Sequence, residues 1–308
     1  MRQKKKYVFP RLKNKRGGFL NFADYRNPWH KAGYGAIILF LCIFSFMALF
    51  PIVYLLASSL KSPGEIYSAT YTFWPKVWDW KKIAEIWQKI DFGRYYLNTF
   101  VYVIGAVICA VFFNSLLAYA IAIIKPVGHK VIDKLIFLGY MIPAVLNVFP
   151  LIKEISAIGL LQADSESYLM FLSLWLSFGA NAYYYTLFKD YFSRLPKSLI
   201  EAASMDGANR MQIFSRVVLP LSKPIIGIVA IFSMTASYSD FLLPYLVLQN
   251  DKLKTLMVGI YDIGNAGDIL KPEEFLMLLV LSIIPQVIIF LIFQRQIMGV
   301  GASKGSKE

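Results

Sequence analysis

Cysteine and histidine are nearly missing from this chain, with two of each among 308 residues. Cys42 and Cys109 both lie inside apolar runs, so neither a disulfide framework nor a CxxC metal site is available. His30 and His129 stand alone, which removes zinc and histidine-based catalysis. Acidic residues are also scarce, 19 against 32 lysines and arginines. No paired carboxylates fall within the apolar runs, so a membrane-embedded hydrolase has nothing to work with. No Gly-x-x-x-x-Gly-Lys-Ser/Thr occurs, and Gly301 and Gly305 have the wrong spacing for a phosphate cradle. The chain is thus expected to bind no cofactor, no metal and no ATP of its own.

Apolar side chains are abundant instead: 57% of the residues are hydrophobic and only 17% are charged. Apolar runs cover about Tyr34–Leu60, Leu97–Ile124, Val131–Ile152, Tyr168–Phe188, Ile225–Leu248 and Phe275–Phe293. Each reaches or exceeds the roughly 18 residues of a transmembrane helix. The expected fold is therefore an all-α polytopic membrane protein with six transmembrane helices. The first run is longer than a signal-peptide core and its basic leader is too long, so it reads as a retained span. A net charge of +13 would suit nucleic acid if it decorated a soluble domain. Here the basic residues sit in tails and in loops between spans, which points to topology and excludes a nucleic-acid partner. The tail, the 125–134 loop, the 189–223 loop and the C-terminus carry 22 lysines and arginines, against 10 on the other side. The positive-inside rule then puts both termini in the cytoplasm. The organisation reads as a basic segment 1–33 with Trp29 near the headgroups, a six-span domain 34–299, and a tail 300–308.

Between the fourth and fifth spans, residues 195–224 turn polar in a patterned way. Ser198 and Glu201 have the spacing of a capping box behind Pro196. Leu199, Ile200, Ala202 and Ala203 give one face of a short helix small apolar side chains. Asp206-Gly207 ends that helix, Gly207 supplying the left-handed residue. Asn209 and Gln212 repeat the capping spacing and start a second helix, with Met211, Phe214, Val217 and Val218 on one side and Pro220 as its stop. A knob of this shape suits insertion into another protein's groove. The plainer alternative is an amphipathic helix lying on the lipid surface.

Glu201-Ala202-Ala203, Asp206-Gly207, Ile213 and Leu219-Pro220 resemble the EAA loop of ATP-binding cassette importer permeases. Leu97-Asn98-Thr99-Phe100, Asn114–Ala120, Met141-Ile142-Pro143, Phe149-Pro150-Leu151, Ile158-Gly159-Leu160-Leu161 and Phe293-Gln294-Arg295 extend the resemblance over roughly 34–300. It is nearest in pattern to the second, six-span permease of maltose-type systems. Ser237–Pro244 departs from the family pattern at Tyr238-Ser239, where Trp-Asn is usual, and this touches substrate contacts rather than membership. The resemblance implies a permease in a bacterial plasma membrane, importing a sugar or oligosaccharide and paired with a second homologous permease. Two cytoplasmic ATPase subunits holding ATP and Mg, and an extracytoplasmic solute-binding protein, complete the implied assembly. Glu201, Ala202, Ala203, Asp206 and Gly207 would couple the permease to the ATPase.

Asp240 is the one acid well inside an apolar run, where ionisable groups generally face a cavity or a partner. With Tyr238 and Asn181 it offers hydrogen-bonding and stacking groups suited to a sugar, and these three are the candidate pathway residues. Gly264, Asn265 and Gly267, in a turn expected to be flexible and to project from the membrane, are the candidate contacts for the binding protein. Aromatic residues of the 61–96 loop (Tyr67, Tyr71, Phe73, Trp74, Trp78, Trp80, Trp87) are expected to anchor the interface. An ion-coupled secondary transporter is the rival reading. It would show charges in several spans, broken helices and an internal repeat.

Overall fold

The computed structural model describes residues 28–68, 70, 72–159, 167–267 and 269–302. The expectations for residues 1–27, Tyr71, Leu160-Leu161, Asp268 and 303–308 lie outside these. The chain divides into two compact units, Met1–Ala57 and Ser58–Glu308. The first holds most of α1 (Pro28–Ser59), an uninterrupted helix despite Pro51. At 1.5 Å per residue it is long enough to cross a bilayer.

In the second unit, α2 (Lys81–Lys89) leads into α3 (Phe92–Tyr119), which continues as a π-helical turn over Ala120–Ile124. Next come α4 (His129–Tyr140), α5 (Val148–Ala157), α6 (Met170–Gly179) and α7 (Ala182–Phe192). The polar knob contributes α8 (Lys197–Met205) and α9 (Arg210–Ile213), the latter extended by a π turn, Phe214–Val218, and by Leu219–Leu221. Then follow α10 (Lys223–Ser239), α11 (Leu242–Val247), α12 (Leu256–Ala266) and α13 (Pro272–Ala302).

Every described helix belongs to an all-α membrane architecture, but the runs are less continuous than hydropathy suggests. Three described helices are long and apolar enough to cross a membrane, and up to five crossings result if each bent pair is one span. The third apolar run bends by 101° between α4 and α5, after Pro143, and the fourth breaks at Ala180-Asn181 between α6 and α7. A window of apolar residues registers burial in lipid and is blind to φ and ψ. The breaks are therefore invisible to it.

The core is threaded on α3. Its Phe92 and Val103 join a cluster with Ile86, Leu256 and Met277. Tyr102 and Ala106 join a second with Phe171, Leu174 and Val247. Ala110, Ala118 and Tyr119 join a third with Tyr185, Phe188, Phe214 and Val218. Small residues let α3 approach its neighbours closely, the usual device where lipid removes the hydrophobic drive for helix association. At Gly105 a β-carbon would stand 2.2 Å from the Trp175 ring on α6, so only glycine fits.

Polar groups fasten the same helix at both ends. Asn98 is fully buried and donates to the carbonyls of Lys252 (2.9 Å) and Lys254 (3.0 Å), while Thr99 accepts from the Leu256 N–H (2.8 Å). Asn114 donates to Phe178 O at 2.9 Å and accepts from the Asn181 N–H at 3.0 Å. At the far end Tyr119 donates to Arg210 O at 2.9 Å, its ring against Phe214.

Candidate functional site

The knob is built by local backbone chemistry. Helix α8 starts at Lys197 because Pro196, with φ −61° and ψ 118°, serves as its N-cap. That places Ser198 and Glu201 inside the helix, and no side-chain cap forms. The expected Ser198–Glu201 capping box is thus corrected: the proline starts the helix early. At the other end the expectation is met. Gly207 has φ +82°, the Ala208 N–H reaches Ala203 O at 3.0 Å, and the Gly207 N–H reaches Ser204 O at 3.2 Å. This is the Schellman arrangement that satisfies the last carbonyls of a helix. The second capping box is also present, with Asn209 and Gln212 bonded reciprocally at 2.9 and 2.8 Å.

Packing then decides which face of α8 is offered outward. Ile200 and Ala203 lie against the core beneath, with Phe214 and Val218. Ser198, Glu201, Ala202 and Met205, spaced i, i+3, i+4 and i+7, form the opposite stripe, and Met205 is 83% exposed. Asp206 and Gly207 are also exposed at the helix end. Ala203 belongs to the expected coupling motif, but its side chain packs inward. Met205 joins the outward stripe from outside that motif, and its position four residues after Glu201 is the signal that marks it. In the following helix Ile213 takes the buried place expected of Met211, which is 57% exposed. The helix ends at Leu221, one residue after Pro220, and the 81° bend falls at Ser222.

One flank of α8 also walls a cavity of about 660 Å³ lined by five lysines, among them Lys125 and Lys197. Beside it Asp133 on α4 is held by Lys189 (2.8 Å) and the Tyr185 hydroxyl (2.8 Å) from α7.

The pathway candidates separate. Asp240 ends α10 at the break before α11, half-buried, and accepts from the hydroxyl of fully buried Tyr102 at 2.6 Å. Tyr238 is 4% exposed and donates to Ser282 O at 2.6 Å, so its ring is interior packing. Asn181 caps α7, its side chain accepting from the N–H groups of Tyr183 and Tyr184. The fold thus uses the Tyr238 hydroxyl, and of the partly exposed Asn181 side chain it uses the oxygen. The aromatic groups gathered next to Asp240 are Phe241, Tyr245 and Tyr261, with ring centroids 4.7–5.2 Å apart and both tyrosines exposed. The i, i+4 spacing of Phe241 and Tyr245 is legible in the sequence, but Tyr261 lies in another helix and carries no such signal.

Gly264 and Asn265 are helical residues of α12, and the left-handed turn is confined to Gly267 at φ +71°. Of the turn expected over 264–268, residues 264–266 are helix instead. Gly264 has its own reason for lacking a β-carbon, which would come within 3.0 Å of the Phe275 ring. All three residues are exposed.

Comparison with known proteins accords with this architecture. The arabinooligosaccharides transport system permease protein AraQ of Bacillus subtilis is 30% identical over 280 residues, which cover 88% of this chain and 95% of AraQ. The diacetylchitobiose uptake system permease protein NgcG of Streptomyces coelicolor is 29% identical over 262 residues, 84% of each chain. A solved chain from a bacterial ABC transporter involved in the import of the acidic polysaccharide alginate superposes with a TM-score of 0.75 at 24% identity, covering 91% of this chain and 99% of that one. The family described as binding-protein-dependent transport system inner membrane component matches residues 114–298, from the last turns of α3 to near the end of α13. The chain belongs to that family, the permease subunits of ATP-binding cassette importers.

Proposed function

We propose that this permease imports a sugar or oligosaccharide, and that α8 is the helix through which separate ATPase subunits drive it. The observation that carries the coupling role is the outward stripe Ser198, Glu201, Ala202 and Met205 on a short helix fixed at its end by Gly207. Two small side chains admit close approach, Glu201 supplies a charge, and an exposed methionine adapts to an irregular groove. The saccharide reading is supported by the relatives named for diacetylchitobiose and arabinooligosaccharides. It is supported also by the aromatic group beside Asp240, since ring faces and a carboxylate suit a polyhydroxylated substrate.

In this reading the chain supplies half of a pathway completed by a second, homologous permease. ATP and Mg are held by the ATPase subunits, and a solute-binding protein docks near Gly264, Asn265 and Gly267. Both termini and α8 lie on the cytoplasmic side, in line with the basic asymmetry, and the bent and broken pairs make up the remaining crossings of six. Asp240 borders the pathway with Phe241, Tyr245 and Tyr261. Pressure on α8 reaches α3 through Tyr119, which holds Arg210 O.

The test is substrate-stimulated ATP hydrolysis and uptake by the reconstituted transporter. Glu201→Gln and Met205→Glu are expected to cut both by about tenfold or more, the loss produced by roughly 1.4 kcal/mol at an interface hot spot. Wild-type hydrolysis and uptake in both variants would remove the coupling role. Uptake that persists without ATP but follows an ion gradient would instead favour a secondary transporter.

A further inference from the structure

The cavity flanking α8 has a composition that the coupling role does not use. Its charged side carries Lys125, Lys130, Lys134, Lys189 and Lys197 against two acids, Asp133 and Glu201. Lys189 is spent on Asp133 at 2.8 Å. Lys125, Lys130, Lys134 and Lys197 are exposed and have no carboxylate within ion-pair distance among the described residues. Lys130 and Lys134 are one helical turn apart on α4 and so point the same way. Lys125 is held in the left-handed region at φ +53° and ψ 58°, the only described non-glycine residue at positive φ. Strain of that kind is kept where the surroundings over-determine it, and it collects at ligand clamps.

Apart from His129 and Ser193 the rest of the lining is apolar, with Ile121, Phe192 and Ile200 among it. A second cavity of about 370 Å³ shares Asp133, Lys134 and Lys189 with the first and continues along α4 and α7 past Phe137, Leu138 and Thr186. The two together make a cationic chamber that opens onto an apolar groove. A free phosphate would use the chamber alone. A molecule with an anionic phosphate head and an alkyl tail uses both.

We propose that this is a binding site for one anionic phospholipid, the headgroup phosphate among Lys125, Lys130, Lys134 and Lys197 and an acyl chain along Phe137 and Leu138. Basic pockets between membrane helices at the interface hold such headgroups. The site depends on the membrane placement of the chain and not on the coupling role of α8. Its occupancy is therefore read by binding rather than by transport.

The experiment uses the assembled transporter in neutral detergent, titrated with phosphatidylglycerol, with phosphatidylcholine or with inorganic phosphate. Bound lipid is counted by native mass spectrometry, and thermal stability is followed in parallel. Phosphatidylglycerol is expected to be retained and to raise Tm saturably, and phosphatidylcholine and phosphate are expected to do neither. The combined Lys125→Gln, Lys130→Gln and Lys134→Gln variant is expected to bind about 100-fold more weakly, each lysine near an anionic headgroup being worth roughly a factor of five. Arginine at the same three positions is expected to restore retention. Equal retention of the two lipids would overturn the proposal, as would full retention by the glutamine variant. A Tm rise with phosphate alone would reassign the chamber to a free anion and overturn the lipid. Should the triple variant fail to assemble, Lys134→Gln alone and the wild-type lipid comparison decide the matter by the same outcomes.

Discussion

The knob at 195–222 and the charged knot on the opposite side of the second unit are both polar assemblies, built in opposite ways. In the knob the bonds that shape the turn run between residues no more than five apart: Gly207 to Ser204, Ala208 to Ala203, Asn209 to Gln212. Its carboxylates stay in water. In the knot the charges are buried and the partners are distant in sequence. Lys61, Lys82, Glu273 and Glu274 are all under 7% exposed. Lys82 donates to the carbonyls of Lys61 and Ser59, Lys61 donates to Thr72 O, and Lys89 pairs with Glu274 across 185 positions. Burial holds the Lys82 ammonium below its ordinary range, with Asp79, Glu273 and Glu274 opposing the shift. Local bonds leave a surface free for a partner. Distant bonds tie the α2 segment to the start of α13, with Oε2 of buried Glu273 left outside the hydrogen bonding.

That contrast is tested most strongly at Lys82. Lys82→Ala leaves two carbonyls and neighbouring buried carboxylates without their cation, and about 3 kcal/mol of stability is expected to go, the range for a broken buried pair. Thermal melting of the detergent-solubilised protein measures it. A change no larger than that of an exposed lysine would mean that the knot is wet.

In the knob the effects are smaller and local. Gly207→Ala forces a β-carbon into the left-handed region at roughly 1 kcal/mol, expected as an approximately fivefold loss of amide-exchange protection at the end of α8. Smallest of all, Ser198→Ala is expected to change stability by less than about 0.5 kcal/mol, because its hydroxyl caps nothing. Asn209→Ala, by contrast, is expected to cost about 1 kcal/mol. Equal costs for the two would restore the capping box at Ser198.

The same contrast explains what is legible in the sequence. The knob's glycine, its second capping box and its two helices can be read because their partners lie within a few residues. The pairing of Asp240 with Tyr102, 138 positions away, cannot. Nor can the gathering of Tyr261 beside Phe241. Tyr238 is sound as chemistry, but interior packing uses the same ring and hydroxyl as substrate recognition, and composition does not say which claim prevails. The lysines at 125, 130 and 134 speak in sequence for topology alone. Only the fold turns them toward Lys197.

Helix α3, with its π turn, runs unbroken for 33 residues from Phe92 to Ile124. Near one end Asn98 and Thr99 grip the chain at 252–256, and near the other Tyr119 grips Arg210. About 30 Å of helix separates these grips at 1.5 Å per residue. One continuous helix thus ties the chain at Arg210 to the chain at Lys252–Leu256 over a distance close to the thickness of a bilayer's hydrocarbon core.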